Sequence, residues 1–211
     1  MVYNEKNVLA KVRMMDEGYV SEEICRTCGG VCCKAKGCSL SPEDMLRELA
    51  RRAGEERELR NGEEQDSGDG RDRLPDISEL ESWLQESQCA IDHFSGQTGP
   101  FYYIRMRHKC FTFIGVDAMG ECIALTEKGC GLPYERRPKG GRYLEGRQDR
   151  HCQQHYTREQ MEEDWKPYQA LLKEIWDRWY LRLEDEGVFE RCEEEYMQWQ
   201  RKTRQMTGET R

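Results

Sequence analysis

No stretch of this 211-residue chain approaches the roughly 20 consecutive apolar residues that a membrane-spanning helix needs. The N-terminal MVYNEKNVLAKVRMMDEG carries charge throughout and has no apolar run of signal-peptide length. A GxxxxGK phosphate loop, a GxSxG nucleophile elbow and an HExxH helix are all missing, which removes the common signatures of nucleotide, acyl-transfer and zincin chemistry. A basic excess is missing too. Lys and Arg total 33 against 41 Asp and Glu, for a net charge of −8. That balance disfavours a broad nucleic-acid surface, including a zinc-ribbon nucleic-acid binder. Apolar residues are modest at 36%, nearly matched by 35% charged, so the core should be small. No internal repeat is evident, and the length fits one domain with extensions or two small ones.

Cysteine is plentiful. Of 11 in the chain, five fall in CRTCGGVCCKAKGC: Cys25, Cys28, Cys32, Cys33 and Cys38. The Cys25-Arg-Thr-Cys28 step lets two thiolates turn back onto one ion, and Gly29-Gly30 permits the tight bend behind it. Zinc and iron–sulfur clusters both accept such thiolate shells, whereas a disulfide knot or a set of buried thiols is the non-metal reading. Cys32 and Cys33 are adjacent, and neighbouring side chains diverge. The pair therefore suits two ions, or a bridge between them, better than one ion. With no signal peptide the expected compartment is the reducing cytoplasm, where thiols serve as ligands and not as disulfides. Structural zinc supplies about 10 kcal/mol or more of folding free energy in small peptides, which would support a modest core.

In chain order, Val8, Leu9, Val12 and Met15 mark a helix over 4–16. Ser41-Pro42-Glu43-Asp44 starts another, with Met45, Leu46 and Leu49 on its buried face and an end near Gly54. Residues 55–76 are charged and glycine-punctuated, a mobile linker. Ser78-Glu79-Leu80-Glu81 is a capping-box pattern opening a helix to about Cys89. The segments 101–107, 111–116 and 121–125 are β-rich and separated by turn signals, so they form a small antiparallel meander. Thr157 to Gln160 is a second capping box. Trp165, Tyr168, Leu172, Ile175, Trp179 and Leu183 then stripe a long amphipathic helix, with a kink at Pro167 and a break at Gly187. The fold class is α+β: helices around a small antiparallel meander, stitched by cysteine-bound metal, with a long C-terminal helix. Residues 1–54 and 77–156 make one metal-binding domain, 55–76 the linker, and 157–211 a C-terminal helical extension.

A second thiol group, Cys122, Cys130 and Cys152, must meet the first if they share ions. At eight thiols the two groups suffice for two four-thiolate sites or one polynuclear cluster. CxxCxxxCC followed by GCSLSPEDM, then two cysteines around ECIALTEKGC and GLPYERRPKGGR, resembles the YkgJ-type cysteine-cluster family, described as a zinc- or iron-chelating domain. The resemblance covers about 20–156 apart from the linker, and the long final helix is also typical of the family. It implies metal chelation by Cys25, Cys28, Cys32, Cys33, Cys38, Cys122, Cys130 and Cys152, and supplies no substrate or reaction. Many relatives carry a cysteine soon after the Arg-Pro pair; here Pro138-Lys139-Gly140-Gly141-Arg142 has none, and Cys152 stands in for it. His151 and His155 flank that thiol and either complete a shell or only hydrogen-bond. Cys192 reads as helix packing; Cys89 and Cys110 are open. The basic run of Arg136, Arg137, Lys139, Arg142, Arg147 and Arg150 reads as solvated charge offsetting a thiolate cluster, or as an anion site. The functional expectation is a zinc or iron protein, including an iron–sulfur cluster, whose metal is structural or handed to a partner. The alternative is an iron–sulfur or metal-dependent oxidoreductase. A protein partner or small molecule is expected, with neither nucleic acid nor membrane.

Overall fold

The structure is a computed structural model that describes residues 30, 33, 37–59, 74–96, 99–108, 114, 121–147 and 152–207. The helix expected over 4–16, the cysteines Cys25, Cys28, Cys32 and Cys110, His151, Arg150 and linker residues 60–73 lie outside the described residues.

Helix α1 (Pro42–Leu59) begins where Ser41 and Pro42 predict. The Asp44 amide donates to the Ser41 hydroxyl at 3.3 Å, and the Ser41 amide donates to Asp44 Oδ2 at 3.0 Å, a reciprocal cap that satisfies two orphan donors. The helix continues through Gly54 to Leu59, so 55–59, expected as linker, is helical. An interior glycine costs only about 1 kcal/mol, and the Arg and Glu residues on both sides are good helix formers. Helix α2 (Ile77–Glu86) is capped by Asp76 and not by Ser78: Asp76 Oδ1 accepts from the Glu79 amide and from the Ser78 hydroxyl, each at 2.8 Å. It stops at Glu86, short of Cys89, and buries Leu80, Trp83 and Leu84.

Strand β1 (Cys89–Gly96) and strand β2 (Gly99–Met106) form an unbroken antiparallel hairpin, Cys89 opposite Met106 and Gly96 opposite Gly99. The strand expected at 101–107 is β2, but its antiparallel partner is the upstream β1, which sequence reading did not foresee. From 111–116 only Ile114 is described, in a parallel bridge to Ile91. The segment 121–125 contributes a bridge from Cys122 to His108 and then strand β3 (Leu125–Thr126), paired with β4 (Gly129–Cys130). A short helix α3 (Lys139–Arg142) precedes a third small ladder, β5 (Leu144–Glu145) with β6 (Gln153–Gln154). The described fold is thus α+β with small antiparallel sheets.

Helix α4 (Arg158–Trp165) carries the predicted Thr157–Gln160 capping box. A 3-10 turn (Lys166–Tyr168) marks Pro167, α5 (Gln169–Asp185) follows, and Gly187 at φ +62° separates it from α6 (Val188–Thr207). Of the predicted stripe, Trp165, Tyr168, Leu172, Ile175 and Leu183 are buried, whereas Trp179 is only half-buried. Trp176 takes the core position, in one cluster with Leu80, Trp83 and Leu84 of α2 and Ile91, Tyr102 and Ile104 of the hairpin. Each such side chain contributes about 1.5–3 kcal/mol when fully buried. Two polar ties fix the C-terminal run. The Gln169 side chain accepts from the Tyr102 amide at 2.9 Å and donates to its carbonyl at 2.7 Å, and Trp165 Nε1 donates to the Leu40 carbonyl at 2.9 Å. The latter places α4 directly against the segment that follows Cys38. Among the described residues no helix is long and apolar enough to cross a membrane.

Candidate metal centre

Asp44 organises the site from its base. Its carboxylate is buried, and beyond the helix cap it accepts from the Lys139 amide at 2.6 Å, from Arg142 Nη2 at 3.1 Å and from Arg47 Nη2 at 2.7 Å. The start of α1 and the short α3 are therefore clasped together, although 95 positions separate Asp44 from Lys139. Backbone closes the same contact: the Gly140 amide donates to the Ser39 carbonyl at 2.9 Å. A Cβ on Gly140 would stand 2.6 Å from the Ser39 hydroxyl oxygen, so only glycine fits this approach. The GCSLSPED and RPKGGR stretches are thus two halves of one structural unit.

The thiols hang from this clasp. Cys38 precedes Ser39, its sulfur packs over Gly141, and its carbonyl accepts from the Met106 amide at 2.9 Å. Cys33 reaches the second thiol group directly, because its carbonyl accepts the Cys122 amide at 2.7 Å. Two glycines of the early segment touch the same turn: a Cβ on Gly30 would meet Leu125, and one on Gly37 would stand 3.8 Å from Cys122 Cβ. Both have positive φ, +74° and +64°; the bend was expected at Gly29-Gly30, and Gly37 adds a second one. Cys130 follows on β4, with Leu125 as its ladder partner. Cys152 stands just before β6, whose Gln154 donates to the Gly140 carbonyl at 2.7 Å, so it belongs to the clasp side. Cys33, Cys38, Cys130 and Cys152 are half-buried, Cys122 is buried, and none of these five is in a disulfide.

Of the eight predicted ligands, the structure thus brings the segments of Cys33 and Cys122 together, with Cys130 on the adjoining hairpin, and sets Cys38 and Cys152 around the α3 clasp. Among the described residues no three His, Cys, Asp or Glu side chains gather as a complete metal-binding group. The other three predicted ligands, Cys25, Cys28 and Cys32, and the shell candidate His151 lie outside the described residues. His155 bonds Glu145 Oε2 at 2.9 Å, its hydrogen-bonding alternative.

Cysteines without motif context separate chemically. Cys89 sits in the core on β1, where burial pushes its thiol up to about 12, and it would stay protonated at neutral pH. Cys192 is buried on α6, as packing predicts. The basic run is more committed than solvated charge. Arg137 is buried and donates to the Leu132 carbonyl at 3.1 Å, Arg142 holds Asp44, and Lys139 Nζ pairs with Asp164 at 2.8 Å.

Two features escaped sequence reading. Asp44 looked like a helix-dipole acid, and nothing local points to partners far along the chain. His108 looked like a turn residue, yet it is buried, bridges Cys122 and accepts from the Arg105 guanidinium at 2.8 Å through Nε2. Arg105 in turn pairs with Asp92 across the hairpin. Asp92, Arg105 and His108 thus form a largely buried polar chain whose last member pairs its backbone with Cys122.

No protein-family model, no curated protein and no solved structure matches this chain.

Proposed function

We propose that this is a metal-binding cysteine-cluster protein of the YkgJ type, which takes zinc or iron, including iron as an iron–sulfur cluster. The ligands are drawn from Cys25, Cys28, Cys32, Cys33, Cys38, Cys122, Cys130 and Cys152. The observation that carries this reading is the Cys33–Cys122 backbone bond, which joins the early knot to the second thiol group. The donor type fits a soft or borderline ion: the five of these thiols among the described residues are buried or half-buried and outside disulfides. Bound metal would cross-link chain segments that otherwise rely on a modest core, which makes it structural, or a cargo passed to a protein partner. Thiolate ligation also calls for a reducing compartment, and the cytoplasm suits it.

The test is ligand deletion. Cys33→Ser and Cys122→Ser should each lower bound metal per chain under anaerobic purification, while Cys89→Ala should leave it unchanged. Equal metal content in all three proteins would refute the assignment. An iron chromophore that reduces reversibly would turn the same site toward electron transfer.

A further inference from the structure

Beside the clasp, and independent of any metal, lies a cleft of about 520 Å3 between α1, the end of α2 and the loop before α3. Leu40, Trp83, Met106 and Leu132 supply apolar wall. Its volume is in the range that holds small organic ligands, about 300–1,000 Å3. Its charge runs against that of the protein. Four arginines, Arg47, Arg51, Arg52 and Arg136, face three carboxylates, Asp44, Glu48 and Glu86. Asp44 is moreover shared with Arg142 from outside the cleft. Arg136 is exposed and makes no ion pair with any described residue, and Arg47 keeps 48% of its side chain exposed while holding Asp44. A cationic rim above an apolar wall, in a chain of net charge −8, is complementary to an anion with an apolar body.

We infer that this cleft binds a small organic carboxylate with an aromatic or aliphatic body, its head at Arg136 and Arg47 and its body against Trp83 and Leu132. A guanidinium fork matches a carboxylate in two parallel hydrogen bonds, which supplies the orientation.

The full chain would be titrated with anilinonaphthalene sulfonate, an aromatic anion whose fluorescence rises on binding. Saturable binding at one molecule per chain is expected, displaced by phenylacetate but not by neutral phenylacetamide, and weakened by added salt. Arg136→Ala should weaken binding about five- to ten-fold. Glu86→Gln should strengthen it, because it removes one of the three carboxylate charges that line the cleft. Glu86 is 66% exposed, so neither substitution disturbs the core, and circular dichroism would verify this. Non-saturable binding, indifference to both substitutions, or equal displacement by the amide would each overturn the proposal.

Discussion

Gly140 meets Ser39 at a distance that leaves no room for a side chain: a Cβ would stand 2.6 Å from the hydroxyl oxygen, 2.7 Å from the carbonyl oxygen and 2.8 Å from the amide nitrogen. Two of those three atoms are backbone and cannot rotate away. Gly140→Ala should therefore lower unfolding free energy by about 2–3 kcal/mol in urea, as overpacking does. Gly54→Ala is the control. Nothing lies within 4 Å of its Cβ position inside α1, and there the substitution should stabilise by about 0.5–1 kcal/mol. If Gly140→Ala costs no more than Gly54→Ala, the clasp is not tight.

Asp44 binds the same two segments through charge. Asp44→Ala would strand Arg47 and Arg142 and two amides, and should cost about 3–5 kcal/mol, the range seen when one member of a buried pair is removed. It should also reduce bound metal, although Asp44 is no ligand, because Cys38 and Cys152 would lose their common support. Metal content at the wild-type level in a folded Asp44→Ala protein would separate the clasp from the site.

Legibility followed the range of the interactions involved. Local signals were readable: the Ser41-Pro42 start of α1, the Thr157 capping box, the stripe of α5 and the break at Gly187. Strand β1 was not, because CAIDHFSG sets the polar Asp92 and His93 side by side and so breaks the apolar–polar alternation. Asp92 is matched by Arg105 on β2, a partner that becomes visible only once the hairpin forms. Asp76 displaced Ser78 as the cap of α2 because its carboxylate also accepts the Ser78 hydroxyl. For the candidate site, the cysteine-rich stretches stood out in the sequence, but the contact between GCSLSPED and RPKGGR, and Asp44 that joins them, did not. Its partners lie some hundred positions away, and no periodicity encodes that.

Cys89 provides a test based on pH. Its ordinary value is 9.0 and burial raises it to about 12, with Ser87 and Arg107 pulling weakly the other way. Below pH 9 the thiol is protonated whether the chain is folded or not. Between 9.0 and about 12 only the unfolded chain releases this proton, so rising pH favours unfolding. Wild type should therefore lose about 2 kcal/mol relative to Cys89→Ala between neutral pH and pH ~10.5, measured as the change in their stability difference. A stability difference that stays constant over this window would show that the thiol is not held in the core as described. Consistent with its protonation, Cys89 should also resist alkylation in the folded protein near neutral pH.

The central proposal is that two thiol groups, one before and one after the β1–β2 hairpin in the chain, together bind metal. Elemental analysis with an ultraviolet–visible spectrum, on protein purified without oxygen, tests it most directly. Stoichiometric zinc without visible absorption, or iron with acid-labile sulfide and a broad visible band, is the predicted result, and chelation should then lower the unfolding midpoint. Protein that carries neither metal, cannot be loaded with either, and unfolds identically before and after chelation would contradict the account.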